Sequence, residues 1–372
     1  MDVVITGIGL ISCLGSLQTT WSSILQGKSG IKSRQLFPQL PAYPLGMIDA
    51  QPSNISDLTQ KVLIDALTDA ELQVPLNQSG VVIGSSRGCQ AIWEELATQK
   101  QKHIPNWLQT LPHQPALITG NYLQTTAPVL APMAACATGI WALARGYELI
   151  KTGRCERVIA GAVEAPISPL TLAAFGQMGA LATTGCYPFD RSREGLVLGE
   201  GGAMFVLEEA ALAARRQAKV YGKILGFGLA CDAYHVSSPQ GLHGGSAARA
   251  IKQSLERSNL EPKAIAYIHA HGTSTVLNDR HEAQLIQQIF PQRVAVSSSK
   301  GATGHTLGAS GAINTALTLM AMKHNYLPAC VGLQDLAFDL NIVTEARAAQ
   351  INHALCFSFG FGGQNAVITL GR

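Results

Sequence analysis

The segment Ala131-Pro-Met-Ala-Ala-Cys-Ala-Thr-Gly139 places Cys136 among small residues, directly before the apolar, helix-periodic stretch Ile140-Trp-Ala-Leu-Ala-Arg-Gly-Tyr-Glu-Leu-Ile150. Small neighbours suit a sharp turn from a strand into a helix, where backbone segments pack closely. A thiol at a helix start lies near the positive end of the helix dipole, which predicts a favoured thiolate and a nucleophilic cysteine. This segment alone leaves open the alternative of an unreactive core cysteine.

Outward from this turn, strand-like and helix-like segments alternate along the chain. Buried strands are predicted over residues 3–6, 80–83, 157–160, 203–207, 220–227, 264–269, 294–297 and 366–370. Helices are predicted over residues 60–70, 139–151, 246–258, 279–290 and 310–322. This alternation predicts an α/β fold whose central sheets are covered by helices. The two halves have similar content, compatible with an internal duplication, and the charged segment 208–217 is the expected seam.

Composition restricts the class of protein. The 372 residues are 47% hydrophobic and only 14% charged, with a formal net charge of +3. This balance gives no strong basic field for nucleic acid, and no apolar run approaches the roughly 18–20 residues that a membrane span needs. The opening residues have no basic region of the signal-peptide kind, so a cytoplasmic location is expected. The eight cysteines are scattered singly, without metal-ligand spacing, which predicts reduced thiols and no metal site.

Two further turns carry polar side chains after predicted strands. The strand over 264–269 leads to His271, and the segment 297–311 holds Lys300 and His305 among four glycines. Asp279 and Glu282 lie three apart on one face of a helix start, either as partners of the helix dipole or as counter-ions for Lys300. Each histidine alone is more often structural. A cysteine, two histidines and a lysine, all on strand-to-helix turns, make a catalytic site the better hypothesis.

The last motif is Phe357-Ser-Phe-Gly-Phe-Gly-Gly-Gln-Asn365. Alternating phenylalanine and glycine gives a flexible backbone that carries bulky apolar groups, as a gate over a site requires. A glycine-rich turn with two core phenylalanines is the alternative.

Together these segments resemble the β-ketoacyl-acyl carrier protein synthases of the type II elongation class over nearly the whole chain. Further matching motifs are Val3-Val-Ile-Thr-Gly-Ile-Gly9, Pro188-Phe-Asp-Arg191, Gly195-Leu-Val-Leu-Gly-Glu-Gly201 and Cys231-Asp-Ala-Tyr-His235. The resemblance implies a thiolase-like fold, a duplicated five-layer αβαβα arrangement. Residues 1–215 would form the half with the nucleophile, and residues 216–372 the half with the histidines, the lysine and the gate.

The resemblance also implies an activity and partners. The expected enzyme is an acyltransferase that condenses an acyl thioester on Cys136 with malonyl-acyl carrier protein, releasing carbon dioxide, in fatty acid or specialised polyketide or polyene synthesis. It implies no cofactor beyond the phosphopantetheine of the acyl carrier protein. A homodimer is expected, and a heterodimer with a related ketosynthase-like subunit is the alternative.

Each matching residue receives an implied role. Neutral His271 and His305 would donate to the enolate, and Lys300 would be electrostatic, held by Asp279 and Glu282. Backbone N–H groups of Cys136 and Phe361 would hold the thioester oxyanion. The residues implied to contact substrate or form the gate are Thr273, Thr275, Phe175, Trp93, Gly360, Gly362 and Gly363.

Two of the departures from the family concern the site itself. Asn314 stands where the elongation enzymes usually place a glutamate near the lysine, so the Lys300 network lacks one carboxylate. Trp93 stands where relatives carry a smaller aliphatic residue at the far end of the acyl pocket. It predicts short or flat acyl groups if it forms the pocket floor, or plain packing if it does not.

Two competing functions remain. A non-catalytic partner subunit of the chain-length-factor kind would share the fold, but such subunits typically lack the nucleophile. A thiolase would carry a second active-site cysteine in a Cys-x-Gly turn, whereas Cys356 lies in Cys-Phe-Ser.

Overall fold

The computed structural model describes residues 1–99, 107–238, 245–290 and 293–372. Its strands are β1 (Val3–Ser12), β2 (Gly15–Ser16), β3 (Lys32–Arg34), β4 (Tyr43–Leu45), β5 (Gly80–Gly84), β6 (Val129–Leu130), β7 (Arg157–Glu164), β8 (Gly201–Glu209), β9 (Gly222–Cys231), β10 (Tyr267–His269), β11 (Ala295–Ser297), β12 (Tyr326–Leu327), β13 (Arg347–Ala348), β14 (His353–Gly360) and β15 (Gln364–Gly371). Its α-helices are α1 (Leu17–Leu25), α2 (Ile55–Asp69), α3 (Gln90–Gln99), α4 (Gln114–Leu123), α5 (Thr138–Lys151), α6 (Pro169–Gln177), α7 (Ala210–Arg215), α8 (Ser246–Ser258), α9 (Val276–Ile289), α10 (Lys300–Thr303) and α11 (Ser310–His324).

The main sheet repeats one topology twice. Its strand order is β11-β10-β14-β15-β9-β1-β8-β7-β5-β6. From the central β9–β1 junction outward, the N-terminal half has the order β1, β8, β7, β5 and β6, and the C-terminal half has the order β9, β15, β14, β10 and β11. If the strands of each half are numbered along the chain, both orders are first, fifth, fourth, second and third. The senses of pairing also repeat, antiparallel for the inner two pairs and parallel for the outer two. The chain therefore contains an internal duplication, and the halves join between β8 and β9.

Helices complete five layers around the two half-sheets. The helices α2 and α4 cover the outer face of the N-terminal half-sheet, and α8 and α9 cover that of the C-terminal one. The helices α5 and α11 lie between the half-sheets. This order of helix, sheet, helix, sheet and helix confirms the predicted thiolase-like αβαβα fold. Within the described residues, no helix is both long enough and apolar enough to cross a membrane.

The two central helices approach each other very closely. Every residue of α11 from Ser310 to Met322 is buried, which explains why its sequence is small and apolar on all sides. A Cβ atom added at Gly139 in α5 would lie 2.4 Å from the backbone nitrogen of Ala312 in α11. Gly311 likewise lies against Ile140, where an added Cβ would be 3.1 Å from its nitrogen. Glycine on both helices is what permits this crossing.

The crossing gives a prediction about stability. Gly139→Ala places a methyl group against backbone, which cannot yield locally, so we expect about 2 kcal/mol lower free energy of unfolding. Gly176→Ala in α6 is the matched control, because its nearest neighbour is the Tyr43 hydroxyl at 3.0 Å, the tip of a side chain. Denaturant unfolding of both variants measures the difference, and equal stability would contradict the proposed importance of the crossing.

Candidate active site

Cys136 lies in a strained turn two residues before α5. The preceding residue, Ala135, has a left-handed φ of 47°. The turn is held by the N–H of Ala137 on the carbonyl of Ala134 at 3.0 Å, and by the N–H of Ala134 on the Thr138 hydroxyl at 2.9 Å. The Ser358 hydroxyl on β14 donates to the carbonyl of Cys136 at 2.8 Å. A strained backbone that is held in place by hydrogen bonds within the turn and from a neighbouring strand is typical of a functional turn.

Two imidazoles converge on this thiol. His271 follows β10, and His305 precedes α11; both are buried. Their ring centroids lie 5.2 Å apart with the planes at 82°. The Cys136 sulfur and one nitrogen of each histidine all lie within 4.8 Å of one another. The fold thus brings together the three residues that the sequence predicted to share one site.

Both histidines are neutral. Burial lowers the pKa of His271 and that of His305 well below the usual value, and the nearby charge of Lys300 lowers both further. The Lys300 ammonium lies 3.4 Å from Nδ1 of His271. An ammonium can only donate, so Nδ1 accepts and the ring proton of His271 lies on Nε2. His305 leaves its Nδ1 without a hydrogen-bond partner among the described residues.

The carboxylates near Lys300 require a correction to the predicted network. Glu282 accepts from the N–H groups of His271 and Gly272 at 2.6 and 2.7 Å. Asp279 accepts from the N–H of Phe189 at 2.8 Å. No ion pair joins Lys300 to Asp279 or Glu282 in the described part of the chain. These carboxylates therefore order the backbone of the turns and act on Lys300 through charge, not through contact.

Burial sets the protonation of this network. It lowers the pKa of Lys300, a shift opposed chiefly by the charge of Glu282. It raises the pKa of Glu282 as well, although two backbone N–H groups favour the carboxylate. The ammonium donates to the carbonyl oxygen of His271. Lys300 thus fixes both the backbone and the ring of His271.

Asn314 lies on α11 and is buried. Its Oδ1 accepts from the Ser299 hydroxyl at 3.4 Å. Its Nδ2 has no partner among the described residues. The amide therefore occupies its position without the charge that a carboxylate would bring to the neighbouring Lys300.

The predicted thiolate is corrected by the structure. Burial raises the pKa of the Cys136 thiol to about 11, and the charge of Lys300 and the N–H of Phe361 offset this only in part. Cys136 is 8% exposed, so the cost of removing a thiolate from water outweighs the stabilisation that the helix start gives to the thiolate. The resting group is a thiol, whose proton leaves during reaction.

A cavity of about 370 Å³ opens onto the thiol. Thr273 and Thr275 line it, with their hydroxyls 2.9 Å apart. Phe361 stacks on Phe175 with centroids 5.9 Å apart. The predicted residues that line the cavity are Cys136, His271, His305, Thr273, Thr275, Phe175, Gly360, Phe361 and Gly363. Those that do not are Lys300, Asp279, Glu282, Asn314, Gly362 and Trp93.

The glycine-rich segment divides between the core and a loop at the nucleophile turn. Phe357 is fully buried in the C-terminal core, as the alternative interpretation expected. A Cβ at Gly360 would meet the carbonyl of Ala134 and the nitrogen of Cys136, both at 3.0 Å. Gly362 has a φ of 75°, which favours glycine. The glycines thus let this loop touch the nucleophile turn, with the Phe361 ring stacked on Phe175.

Trp93 is not brought to this cavity. Its side chain is 41% exposed, and its indole N–H donates to the carbonyl of Thr110 at 2.9 Å. In this chain it lies on the surface of α3, so the structure gives no support to a pocket floor at Trp93.

Three residues around the thiol were not predicted from the sequence. Glu164 at the end of β7 is fully buried and accepts from the hydroxyls of Ser85 and Ser86 at 2.6 and 2.5 Å. Ser358 fixes the nucleophile turn from within the quoted gate motif. Arg87 lies with its guanidinium carbon 5.6 Å from the Phe175 ring centre. A glutamate that ends an otherwise apolar strand was the one available signal.

A buried thiol between two neutral imidazoles, on a duplicated five-layer fold, defines a thiolase-like acyltransferase. Residues 47–213 match the β-ketoacyl synthase N-terminal domain, and residues 221–334 match the C-terminal domain. The chain belongs to the β-ketoacyl synthase family. It is 32% identical to 3-oxoacyl-[acyl-carrier-protein] synthase 2 of Synechocystis over 98% of this chain and 97% of the relative. It is 33% identical to the enzyme of that name from Staphylococcus aureus, with the same coverage of both chains.

Solved structures agree with this family. A type II polyketide ketosynthase, in complex with its acyl carrier protein, has a TM-score of 0.93 at 25% identity, covering 100% of this chain and 99% of that one. A β-ketoacyl synthase from Burkholderia phymatum has a TM-score of 0.91 at 28% identity, covering 100% and 99%. Members of the family are acyltransferases that use carrier-bound substrates, and condensing activity follows for this chain. Cys356 is buried against Thr318 and does not line the cavity, which argues against a thiolase.

The raised pKa of Cys136 predicts its reactivity. Between about pH 7 and about pH 9 its alkylation by iodoacetamide should rise about tenfold per pH unit without a plateau, since only the thiolate reacts. Peptide mass spectrometry resolves this site from the exposed Cys231, and Cys136→Ser gives the background. A plateau near neutral pH would show a thiolate stabilised by the helix start instead.

Position 314 gives a second electrostatic prediction. Asn314→Glu adds negative charge near Lys300, which should raise the pKa of Cys136 further and slow its alkylation at fixed pH by about threefold or more. Asn314→Gln is the control, because it changes size in the same way without charge. Equal rates for the two variants would mean that position 314 has no electrostatic effect on the thiol.

Proposed function

We propose that this protein is an elongating ketosynthase, in which Cys136, His271 and His305 carry out a decarboxylative Claisen condensation. The observation that supports this most is the convergence of the Cys136 sulfur and both imidazoles within 4.8 Å. The product would be a 3-oxoacyl-acyl carrier protein, in fatty acid or specialised polyketide or polyene synthesis.

The first step is acyl transfer. The Cys136 sulfur attacks the carbonyl carbon of an acyl-acyl carrier protein, and the carrier leaves as its free phosphopantetheine thiol, which takes up the proton that Cys136 loses. The N–H of Phe361 lies at Cys136, where it can hold the oxyanion of the tetrahedral intermediate. His305, whose tautomer is fixed by no partner among the described residues, can accept the thiol proton during attack and pass it to the leaving phosphopantetheine sulfur, so the high resting pKa does not prevent the reaction.

The second step is decarboxylation. Malonyl-acyl carrier protein loses carbon dioxide, and the electrons of the broken C–C bond form an enolate whose oxygen needs hydrogen-bond donors. His271 has its proton on Nε2, and Lys300 holds that tautomer. A neutral His305 supplies a second donor. Neutral donors suit this task because they stabilise the enolate without protonating its carbon.

The third step joins the two substrates. The enolate carbon attacks the thioester carbon on Cys136, a C–C bond forms, and the sulfur leaves and is reprotonated. The products are 3-oxoacyl-acyl carrier protein and the free thiol. Thr273 and Thr275 line the cavity that leads to this point, a suitable wall for the polar phosphopantetheine arm.

The alternative of a non-catalytic partner subunit has less support. Such a subunit needs neither the thiol nor the two imidazoles. This chain retains all three in one site, together with the lysine that fixes the tautomer of His271.

The proposed assembly is a homodimer in the cytoplasm. No described strand lies beyond β6, at the end of the main sheet. Around that edge Val129, Leu130 and Met133 are 37, 39 and 58% exposed. Pairing with β6 of a second copy would cover this edge and its apolar side chains.

A heterodimer is the second possibility, since a similar ketosynthase from Xenorhabdus doucetiae is solved in complex with its chain length factor. All eight cysteines are free, as in a reducing compartment.

Substitutions separate the roles of the three residues. Cys136→Ala should abolish acyl loading and condensation but keep malonyl decarboxylation, which needs no thiol. His271→Ala and His305→Ala should each lower decarboxylation by about 10²–10³-fold, because one oxyanion-type donor is lost, while part of the acyl loading survives.

Intact-mass spectrometry measures loading, and carbon dioxide release measures decarboxylation. His324→Ala is a matched control, because His324 lies at the opposite end of α11 from His305 and stacks on Trp21. Acyl loading of Cys136→Ala, or near wild-type carbon dioxide release from both histidine variants, would refute the assignment.

A further inference from the structure

Arg87 is a cation next to the acyl side of the site. It lies in the turn after β5, and its N–H donates to Glu164 at 3.0 Å. Its guanidinium stands 5.6 Å from the centre of the Phe175 ring. Phe175 in turn stacks on Phe361, whose N–H lies at Cys136. Contacts through Phe175 and Phe361 thus connect Arg87 with the nucleophile.

Arg87 contacts the wall of the cavity through which the carrier arm would enter, but it does not line that cavity. Phe175 and Phe361 line it, and the Arg87 guanidinium lies over Phe175. An acyl group on Cys136 must extend away from the incoming arm and past these rings. The apolar cluster around Cys136 includes Ile167 and Leu172. Arg87 is the charged group that contacts this cluster through Phe175.

The guanidinium has no counter-ion in the described part of the chain. Glu164 is the nearest carboxylate by hydrogen bonding, but its oxygens already accept from Ser85, Ser86 and Gly308, as well as from the Arg87 backbone. Nε of Arg87 is buried without a hydrogen-bond partner. A permanently charged group with an unused donor can bind a hydrogen-bond acceptor of a substrate.

We propose that Arg87 is a specificity-determining residue, and that it selects acyl groups that carry a carboxylate at the end remote from the thioester. This rests on the proposed function, because it assumes an acyl group on Cys136. The planar guanidinium presents parallel N–H donors that match a carboxylate. An alkyl end at the same place would desolvate the cation and leave its donors unpaired.

The test compares matched pairs of acyl-carrier proteins: succinyl with butyryl, and adipyl with hexanoyl. The rate of Cys136 acylation is measured by intact mass for each substrate. Wild-type enzyme should load the carboxylated member of at least one pair about tenfold to a hundredfold faster. Arg87→Met should lose that preference and favour the alkyl member. Arg87→Lys keeps the charge without the fork and should retain only part of it.

Arg257→Met is the matched control, since Arg257 also lies over an aromatic ring, at 4.5 Å from that of Phe227, but on α8. Its selectivity should equal that of wild type, and thermal melting reports whether each variant is folded. Equal loading of both members by wild type, or an unchanged ratio in a folded Arg87→Met, overturns the inference alone. If wild type loads no acyl group from any substrate, the proposed function fails and the inference fails with it.

Discussion

The close crossing of α5 and α11 is the constraint on which the site depends. Gly139 and Gly311 let the two helix starts touch, and each start is preceded by one reactive side chain, Cys136 or His305. Because each helix belongs to a different half of the duplication, the site exists only where the halves pack. A larger residue at the crossing would push against the backbone of the helix starts that follow the thiol and His305.

Burial then decides the chemistry of the groups that the crossing brings together. It keeps the thiol protonated, both imidazoles neutral and the Lys300 pKa lowered. In such an environment a hydrogen bond to a developing charge is worth more than in water, so neutral donors are sufficient to stabilise an enolate. Glu282 accepts from backbone N–H groups, and the Lys300 ammonium donates to the carbonyl of His271. These contacts hold the imidazole donors in place before any substrate binds.

The sequence predicted an α/β fold and brought Cys136, His271 and His305 to one site because each signal was local, whereas the thiolase-like arrangement followed from the family resemblance. Cys136, His271 and His305 all follow a strand or precede a helix, and small residues around them signal close backbone contact. The strand β14 was missed, since its Phe-Gly alternation was interpreted as a gate; only Gly360 and the residues after it form that loop. The Lys300 contacts were also mistaken, because charge and spacing say nothing about which backbone N–H groups a carboxylate accepts from. The predicted thiolate failed because a helix start is visible in a sequence, whereas the depth of burial is not.

Three buried nitrogens without a hydrogen-bond partner belong to residues around this thiol, and their presence there has a physical meaning. Arg87, His305 and Asn314 each leave one buried nitrogen without a partner among the described residues. A folded protein tolerates few such groups, since each carries a desolvation cost that folding does not recover. His305 lies at the thiol, where its ring serves the proposed condensation. Arg87 and Asn314 carry no step of that condensation, so their unpaired nitrogens can serve substrate choice on the acyl side and thiol reactivity beside the lysine. Both properties can change at these two positions while Cys136, His271 and His305 are kept.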